Sequence, residues 1–180
     1  MQIVVSGTHA SGKSTLIADF AARHPEFTVL PDPFELLDEH DDAPTAASFG
    51  AQLRLSADRL LERSATHVLA ERGPVDFLAY LHALDDLGRL SFDGETLRRA
   101  YARSREAFAQ VDLLVVLPLT TAIVVGDDED PRLREAMDGR LLELIDDPDA
   151  VGDHAVVIEV TGDRAARLAR LDELVSAQIS

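Results

Sequence analysis

The segment Gly7–Ser14, which reads GTHASGKS, constrains the fold more than any other part of the chain. It has a glycine, four further residues, a second glycine, and then a lysine followed by a hydroxyl residue. The apolar run Ile3–Ser6 precedes it, and a helical pattern over Ser14–Arg23 follows it. Glycines in this context let backbone N–H groups point at phosphate oxygens, and the helix N-terminus favours the same anion. The segment therefore predicts a phosphate-binding loop, or P-loop, and a chain that binds a nucleoside triphosphate.

Lys13 is the only lysine in the chain, and every other basic side chain apart from histidine is an arginine. A compact ammonium group and a planar guanidinium are not interchangeable where a small anion is held in a tight pocket. We therefore expect Lys13 to bridge the terminal phosphates of ATP and the Ser14 hydroxyl to bind Mg²⁺. The residues expected to bind the nucleotide are Gly7, His9, Ala10, Ser11, Gly12, Lys13, Ser14 and Thr15.

Length and composition indicate one globular domain over residues 1–180, with 46% hydrophobic and 28% charged residues. The chain has no cysteine, which excludes disulfides, thiolate metal sites and a cysteine nucleophile. A formal net charge of −16 argues against a nucleic acid partner. No basic leader precedes the first strand, and the longest apolar stretch, Val111–Leu119, is about half a membrane span. We therefore expect a soluble, cytoplasmic protein without membrane contact, and the sequence leaves a homodimer open.

Apolar periodicity predicts five strands that alternate with helices. The strands are expected at Ile3–Ser6, Phe27–Leu30, His67–Ala70, Leu113–Leu117 and Ala155–Val160. The helices are expected at Ser14–Arg23, Ala46–Arg63, Pro74–Leu87, Thr96–Phe108, Arg132–Ile145 and Arg164–Ala177. This order predicts an α/β fold of the three-layer P-loop NTPase type, in which helices cover both faces of a five-stranded parallel sheet. Two acidic segments, Asp38–Thr45 and Gly126–Pro131, are expected to be mobile loops, and the second opens a candidate lid around residues 126–146.

The rest of the chain decides among the switches, motors and kinases that share a P-loop. A GTPase reads guanine with an Asn-Lys-x-Asp loop, and this chain has neither an asparagine nor a second lysine. A motor or AAA-type ATPase ends an apolar strand in Asp-Glu, whereas the fourth strand here ends in Leu117-Pro118. The third strand ends in Glu71-Arg72, at the edge where ligands bind in open α/β sheets. Glu71 is suited to position Mg²⁺ or its water, and Arg72 to hold a phosphate or orient the acceptor.

Two motifs together, Gly7–Thr15 and the sequence ERGPVD at Glu71–Asp76, carry a family resemblance. They resemble the nucleoside-kinase-like branch of P-loop proteins, which includes deoxynucleoside kinases and ribosylnicotinamide kinases. The resemblance runs along most of the chain, although only the P-loop is highly specific. It implies an ATP- and Mg²⁺-dependent kinase that moves the γ-phosphoryl group to a hydroxyl of a nucleoside or a similar small molecule.

The resemblance also implies roles for residues outside the P-loop. Asp32, after the second strand, falls on the general base for the acceptor hydroxyl, and Gln52 falls on the residue that contacts the base of the nucleoside. Glu71 and Arg72 fall on the family's acid–arginine pair, with Arg72 also contacting the acceptor. The arginines that fall on the lid clamp around the transferred phosphoryl group are Arg132 and Arg134, with Arg140 the weaker candidate.

Two other functions remain open at this point. One is a nucleotide-binding regulatory or ATPase module with slow or no hydrolysis. The other is a kinase of the same fold that modifies an antibiotic or a metabolite, which only its substrate would distinguish.

Overall fold

Five parallel strands form one sheet at the centre of the computed structural model, which describes residues 1–36, 45–62, 65–91, 93–119 and 130–179. The strands are β1 (Gln2–Ser6), β2 (Thr28–Leu30), β3 (Val68–Glu71), β4 (Leu113–Val116) and β5 (Val156–Glu159). Their order is β2-β3-β1-β4-β5, and in the register Ile3 lies between Leu69 and Leu113. Because all strands are parallel, the loops that follow β1, β2 and β3 meet at one edge of the sheet.

Helices cover both faces of the sheet because the side chains of β1 alternate between them. Ile3 and Val5 pack in one core and Val4 in the other. The helices are α1 (Lys13–Arg23), α2 (Pro33–Leu36), α3 (Ala46–Leu61), α4 (Pro74–Asp86), α5 (Gly94–Phe108), α6 (Pro131–Leu144), α7 (Pro148–Val151) and α8 (Arg164–Ile179). Helices α1 and α8 cover the first face, whereas α3, α4, α5 and α6 cover the second. The predicted three-layer α/β fold is confirmed.

Helix α4 is the buried helix of the second layer. Pro74 occupies its first turn, as the sequence predicts, because a helix start needs no N–H from that residue. The helix packs against α3, α5 and α6, and Phe77 and Leu78 are 1% and 0% exposed. Burying a side chain of this size contributes about 1.5–3 kcal/mol. The packing fixes the start of α4, and with it the turn after β3, against the sheet.

The structure adds two short helices that the sequence analysis does not predict, α2 and α7. Each has four residues, which is too short to show an apolar period of 3.6. Helix α5 also begins at Gly94 rather than Thr96, because the Asp93 side chain caps its first turn.

Three predictions fall wholly or partly outside the described residues. They concern most of the acidic loop expected at Asp38–Thr45, the first part of the lid expected around 126–146, and the last helical residue expected at Arg63. Within the described ranges, no helix combines the length and apolar character needed to cross a bilayer.

Candidate functional site

The P-loop connects the end of β1 to the start of α1, and three of its residues have positive φ values, which favour glycine. Gly7, Ala10 and Gly12 have φ values of 152°, 53° and 94°. A Cβ atom on Gly7 would lie 2.7 Å from the carbonyl oxygen of Leu117, so glycine is required there. Left-handed residues between ordinary ones form the backbone concavities that bind anions. The loop therefore has the conformation that its sequence predicts for a phosphate site.

Lys13 is the first residue of α1, and its side chain is only 4% exposed. Its Nζ donates a hydrogen bond of 2.7 Å to the neutral carbonyl oxygen of Thr8. Burial, followed by the positive charge of Arg72, lowers the pKa of Lys13 to about 7, although nearby carboxylates oppose the shift. An ammonium group held this way gains strongly from an anion that comes close. The burial and the Thr8 contact of Lys13 are compatible with the predicted phosphate contact.

Ser14 and Glu71, the two residues predicted to hold Mg²⁺, are in contact. The Ser14 hydroxyl donates to Oε1 of Glu71 at 2.7 Å, across the junction of α1 and the end of β3. Mg²⁺ prefers oxygen ligands and is commonly held by one or two protein groups together with substrate phosphates and waters. The residues described here include no group of three or more His, Cys, Asp or Glu side chains arranged for a metal. The Ser14–Glu71 pair fits a Mg²⁺ ion that takes its other ligands from a nucleotide and water.

The side chains of Arg72 and Asp32 form an ion pair beside the P-loop. Nε of Arg72 donates to Oδ2 of Asp32 at 2.6 Å, and Nη1 donates to the carbonyl oxygen of Gly7 at 3.2 Å. The Arg72 backbone has a φ of 63°, which is rare for a residue with a side chain. Burial disfavours its charge, but Tyr80, Asp32 and other acidic neighbours outweigh burial and raise the pKa of Arg72. Arg72 therefore connects the predicted base, which follows β2, to the first glycine of the P-loop.

Asp76 is a central residue of the site to which the sequence analysis assigns no role. Its side chain is 0% exposed and accepts three hydrogen bonds, from Ser6 Oγ at 2.5 Å and from the backbone N–H groups of Gly7 and Gly73 at 2.9 Å. Burial raises the pKa of Asp76, against the opposing effect of Arg72 and these donors. The only local signal is its position in the first turn of α4. Asp76 fixes the turn after β3 to the P-loop.

The predicted lid arginines differ in where the structure places them. Arg134 is 6% exposed, and its Nε donates to the carbonyl oxygen of His9 in the P-loop at 3.1 Å. Arg132, two residues earlier on α6, has an exposed side chain. Arg140 forms a bidentate pair with Asp86, with two contacts of 2.6 Å, on the outer side of the helical layer. Among these residues, the structure brings Arg134 to the P-loop.

Gln52 lies on the buried face of α3 and is 2% exposed. Its side-chain nitrogen has no hydrogen-bond partner within the described part of the chain. Phe49, one turn earlier on the same face, stacks on Tyr80 with ring centres 4.5 Å apart. The guanidinium of Arg72 lies 5.5 Å from the centre of the Tyr80 ring. Arg72, Tyr80 and Phe49 are thus in sequential contact, and Gln52 lies one turn from Phe49 on α3.

The fold agrees with the comparisons to known proteins. Residues 2–167 match the family described as "AAA domain", and the chain belongs to that P-loop family. Thymidylate kinase from Candida albicans is structurally similar, with a TM-score of 0.70 and 15% identity over 98% of this chain and 91% of that chain. Deoxyadenosine kinase from M. mycoides with bound dATP has a TM-score of 0.70 and 12% identity over 98% and 99% of the two chains. No curated protein sequence matches the chain significantly.

These findings confirm the predicted fold and the resemblance to nucleoside-kinase-like P-loop proteins. At 12–15% identity the structural likeness concerns the fold. The family shares its name with AAA-type ATPases, a class that the sequence disfavours because no carboxylate follows the fourth strand. In the structure β4 ends at Val116 and leads into Leu117 and Pro118, and the carboxylate that contacts Ser14 is Glu71, at the end of β3.

Proposed function

We propose that the protein is an ATP-dependent phosphotransferase that moves the γ-phosphoryl group of ATP to a hydroxyl of a nucleoside or a similar small molecule. The observation that carries the proposal is the double contact of Arg72, which binds both the Gly7 carbonyl and the Asp32 carboxylate. This contact holds a carboxylate beside the P-loop, which supports a role for Asp32 towards an acceptor hydroxyl. Binding or hydrolysis of ATP alone does not require such an arrangement.

The donor half of the proposed mechanism rests on Lys13, Ser14, Glu71 and Arg134. Phosphoryl transfer needs little covalent chemistry from the protein, because catalysis consists mainly of positioning and of neutralising charge on the transferred group. Lys13 receives the terminal phosphates, and Arg134 holds the lid helix against the loop that carries them. Ser14 and Glu71 would hold Mg²⁺, which neutralises charge on the β- and γ-phosphate oxygens when bound.

The acceptor half rests on Asp32. Its Oδ1 accepts from the backbone N–H of Phe34 at 3.0 Å, and its Oδ2 accepts from Arg72. A carboxylate has about four acceptor positions, so Asp32 keeps the capacity to accept a hydrogen bond from an acceptor hydroxyl. In this role Asp32 orients the hydroxyl towards the γ-phosphoryl group and receives its proton.

The charge balance around Arg72 supports a neutral acceptor group rather than a second phosphate. Arg72 is already paired with Asp32 at 2.6 Å, and its Nη1 lies 3.9 Å from Asp76. A buried arginine with two carboxylate neighbours has little positive charge left to bind an acceptor phosphate. The side-chain nitrogen of Gln52, which has no partner among the described residues, and the stacked rings of Phe49 and Tyr80 support an acceptor with a planar, hydrogen-bonding part.

The test is a coupled assay of ADP release against nucleosides, nucleotides, ribosylnicotinamide and amino sugars. The proposal expects one acceptor class to stimulate ADP release and expects Lys13→Ala to abolish that stimulation. Arg170→Ala is the matched control, because it removes a positive charge from an exposed pair with Glu173 on α8. Equal ADP release with every acceptor would contradict the proposal.

A regulatory or ATPase module with slow hydrolysis is the second candidate. The family's "AAA domain" description favours it. It predicts tight ATP binding with no dependence on any acceptor in the same assay. A kinase of antibiotics or metabolites would instead respond to an amino sugar or to another small molecule of the panel.

A further inference from the structure

Arg167 of α8 bridges two loops that are far apart in the chain. Its Nη1 donates to the carbonyl oxygen of Ser11 in the P-loop at 2.7 Å, and its Nε donates to the carbonyl oxygen of Gly162 at 2.9 Å. Gly162 lies in the loop that follows β5. The Arg167 side chain is only 9% exposed, although arginine is a residue type that proteins rarely bury. One guanidinium therefore spans the gap between the P-loop and the loop after β5.

Each of the two loops that the Arg167 side chain contacts has a glycine beside that side chain. A Cβ atom on Gly12 would lie 3.0 Å from Nη1 of Arg167, so the bare surface of the glycine leaves room for the guanidinium. Gly162 has a φ of 102°, which a residue with a side chain rarely adopts. Arg167 itself is held in the first turns of α8, where its backbone N–H donates to the Asp163 carbonyl at 2.9 Å. The bridge is thus fixed at three points.

The contact with Ser11 acts on a peptide group of the P-loop. The Ser11 carbonyl and the Gly12 N–H belong to the same peptide group, so a charged donor on the carbonyl polarises that N–H and fixes the plane of the peptide. P-loop N–H groups are the donors that phosphates use. Arg167 therefore supports phosphate binding from the side of the loop that the phosphates do not touch.

In the strand order of the sheet, the contact with Gly162 and the predicted acceptor residues lie on opposite sides of β1. Asp32 and Glu71 follow β2 and β3, whereas Gly162 follows β5, and β1 lies between the two sides. If the γ-phosphoryl group points to Asp32, the nucleoside end of the nucleotide extends towards the loops after β4 and β5. The two ends of the Arg167 bridge thus correspond to the two ends of the nucleotide.

We propose that Arg167 is a positioning residue that couples binding of the nucleoside part of ATP to binding of its triphosphate. The proposal rests on the nucleotide site of the proposed function and on its orientation, with the γ-phosphoryl group towards Asp32, but not on the identity of the acceptor. Holding the loop after β5 at a fixed distance from the P-loop lets one nucleotide contact both loops at once. Without the bridge, the triphosphate still binds the P-loop, but the loop after β5 no longer adds its full contribution.

The experiment compares the affinities of Mg²⁺–ATP and Mg²⁺–tripolyphosphate by calorimetry for the wild-type chain and for Arg167→Met. The proposal expects the ATP affinity to fall by roughly tenfold or more, and the tripolyphosphate affinity by no more than roughly threefold. Arg167→Lys keeps the charge but lacks the planar fork, so it should recover part of the lost ATP affinity. It also keeps the test valid if the methionine variant does not fold, since it must then show a smaller loss of the same kind.

Arg164→Met is the matched control, because Arg164 lies one turn earlier on α8 and pairs with Asp19 of α1 at 2.6 Å. It removes an arginine from the same helix that contacts α1 rather than the P-loop, and it should leave both affinities unchanged. Equal losses for ATP and tripolyphosphate in Arg167→Met would overturn the proposal and leave Arg167 as a support of the P-loop alone. Unchanged affinities would also overturn it. Failure of the wild-type chain to bind either ligand would instead contradict the proposed nucleotide site.

Discussion

The donor and acceptor halves of the site are built and charged in different ways. Most of the donor half comes from one contiguous segment, Gly7–Ser14, whose conformation follows from local sequence, and only Glu71 and Arg134 join it from elsewhere in the chain. The acceptor half is assembled from the ends of β2 and β3 and from helices α3 and α4. Lys13 donates to a neutral carbonyl, whereas Arg72 is paired with the carboxylate of Asp32.

This difference in charge indicates which half gains more from binding an anionic ligand. A buried ammonium whose pKa is lowered to about 7 lacks an anion, and a triphosphate supplies one. The acceptor half already has its charges in balance, so it gains less from an ionic ligand. The donor half should therefore bind ATP without an acceptor, and the acceptor half should act mainly by orientation.

Lys13→Ala breaks the donor half and should have the largest effect. We expect phosphoryl transfer to fall by roughly a thousandfold, because the charge on the transferred phosphates loses its buried partner. Steady-state kinetics with the preferred acceptor measures the loss. Lys13→Arg is the paired variant, and it should also be nearly inactive because a guanidinium does not fit the position of a compact ammonium. Activity of Lys13→Ala close to the wild-type rate would remove Lys13 from the mechanism.

Asp32→Asn breaks the acceptor half and should lower kcat by roughly a hundredfold or more, since it removes the group that orients and deprotonates the hydroxyl. The affinity for ATP should fall much less than kcat, because Asp32 reaches the P-loop only through Arg72. Calorimetry with ATP and turnover measurements on the same variant separate the two effects. Glu35→Gln, on the exposed side of α2, is the control and should leave both unchanged. A parallel loss of ATP affinity in Asp32→Asn would contradict the separation of the two halves.

Arg134→Ala and Arg132→Ala sharpen the comparison within the lid helix. Arg134 contacts the P-loop, so its loss should reduce kcat/KM for ATP by roughly tenfold or more, whereas Arg132→Ala should stay within roughly twofold. The two variants remove the same charge from the same helix. A larger effect at Arg132 would show that the lid closes onto the nucleotide in an arrangement different from the one described.

The pKa of Lys13 gives the donor half a pH dependence. In the nucleotide-free protein, Lys13 is mostly charged below about pH 7 and mostly neutral above it. Bound phosphates favour its charged form. ATP binding above pH 7 should therefore take up close to one proton, and the affinity should fall by up to roughly tenfold per pH unit. Calorimetry in buffers of different ionisation enthalpy counts the proton. Equal uptake in Lys13→Ala would assign the proton to another group.

The sequence predicts the donor half well because its signal is local. The P-loop, the start of α4 at Pro74 and the five strands each depend on a short stretch of sequence. The P-loop contacts of Asp76 and Arg167 carry no such signal, because their partners, Gly7 and Ser11, lie 69 and 156 positions away in the chain. Periodicity places Arg132 and Arg134 on the same helix, but only the packing of α6 decides which of them is buried. The four-residue helices α2 and α7 are below the length at which periodicity is visible.

The most direct test of the account is to follow the γ-phosphoryl group itself. ATP labelled at the γ-phosphate is incubated with Mg²⁺ and the acceptor that stimulates ADP release, and the labelled products are separated. The account predicts one phosphate ester of the acceptor for each ADP formed, with no ester from Lys13→Ala. Label that appears only as inorganic phosphate, at a rate independent of the acceptor, would contradict the account and identify an ATPase.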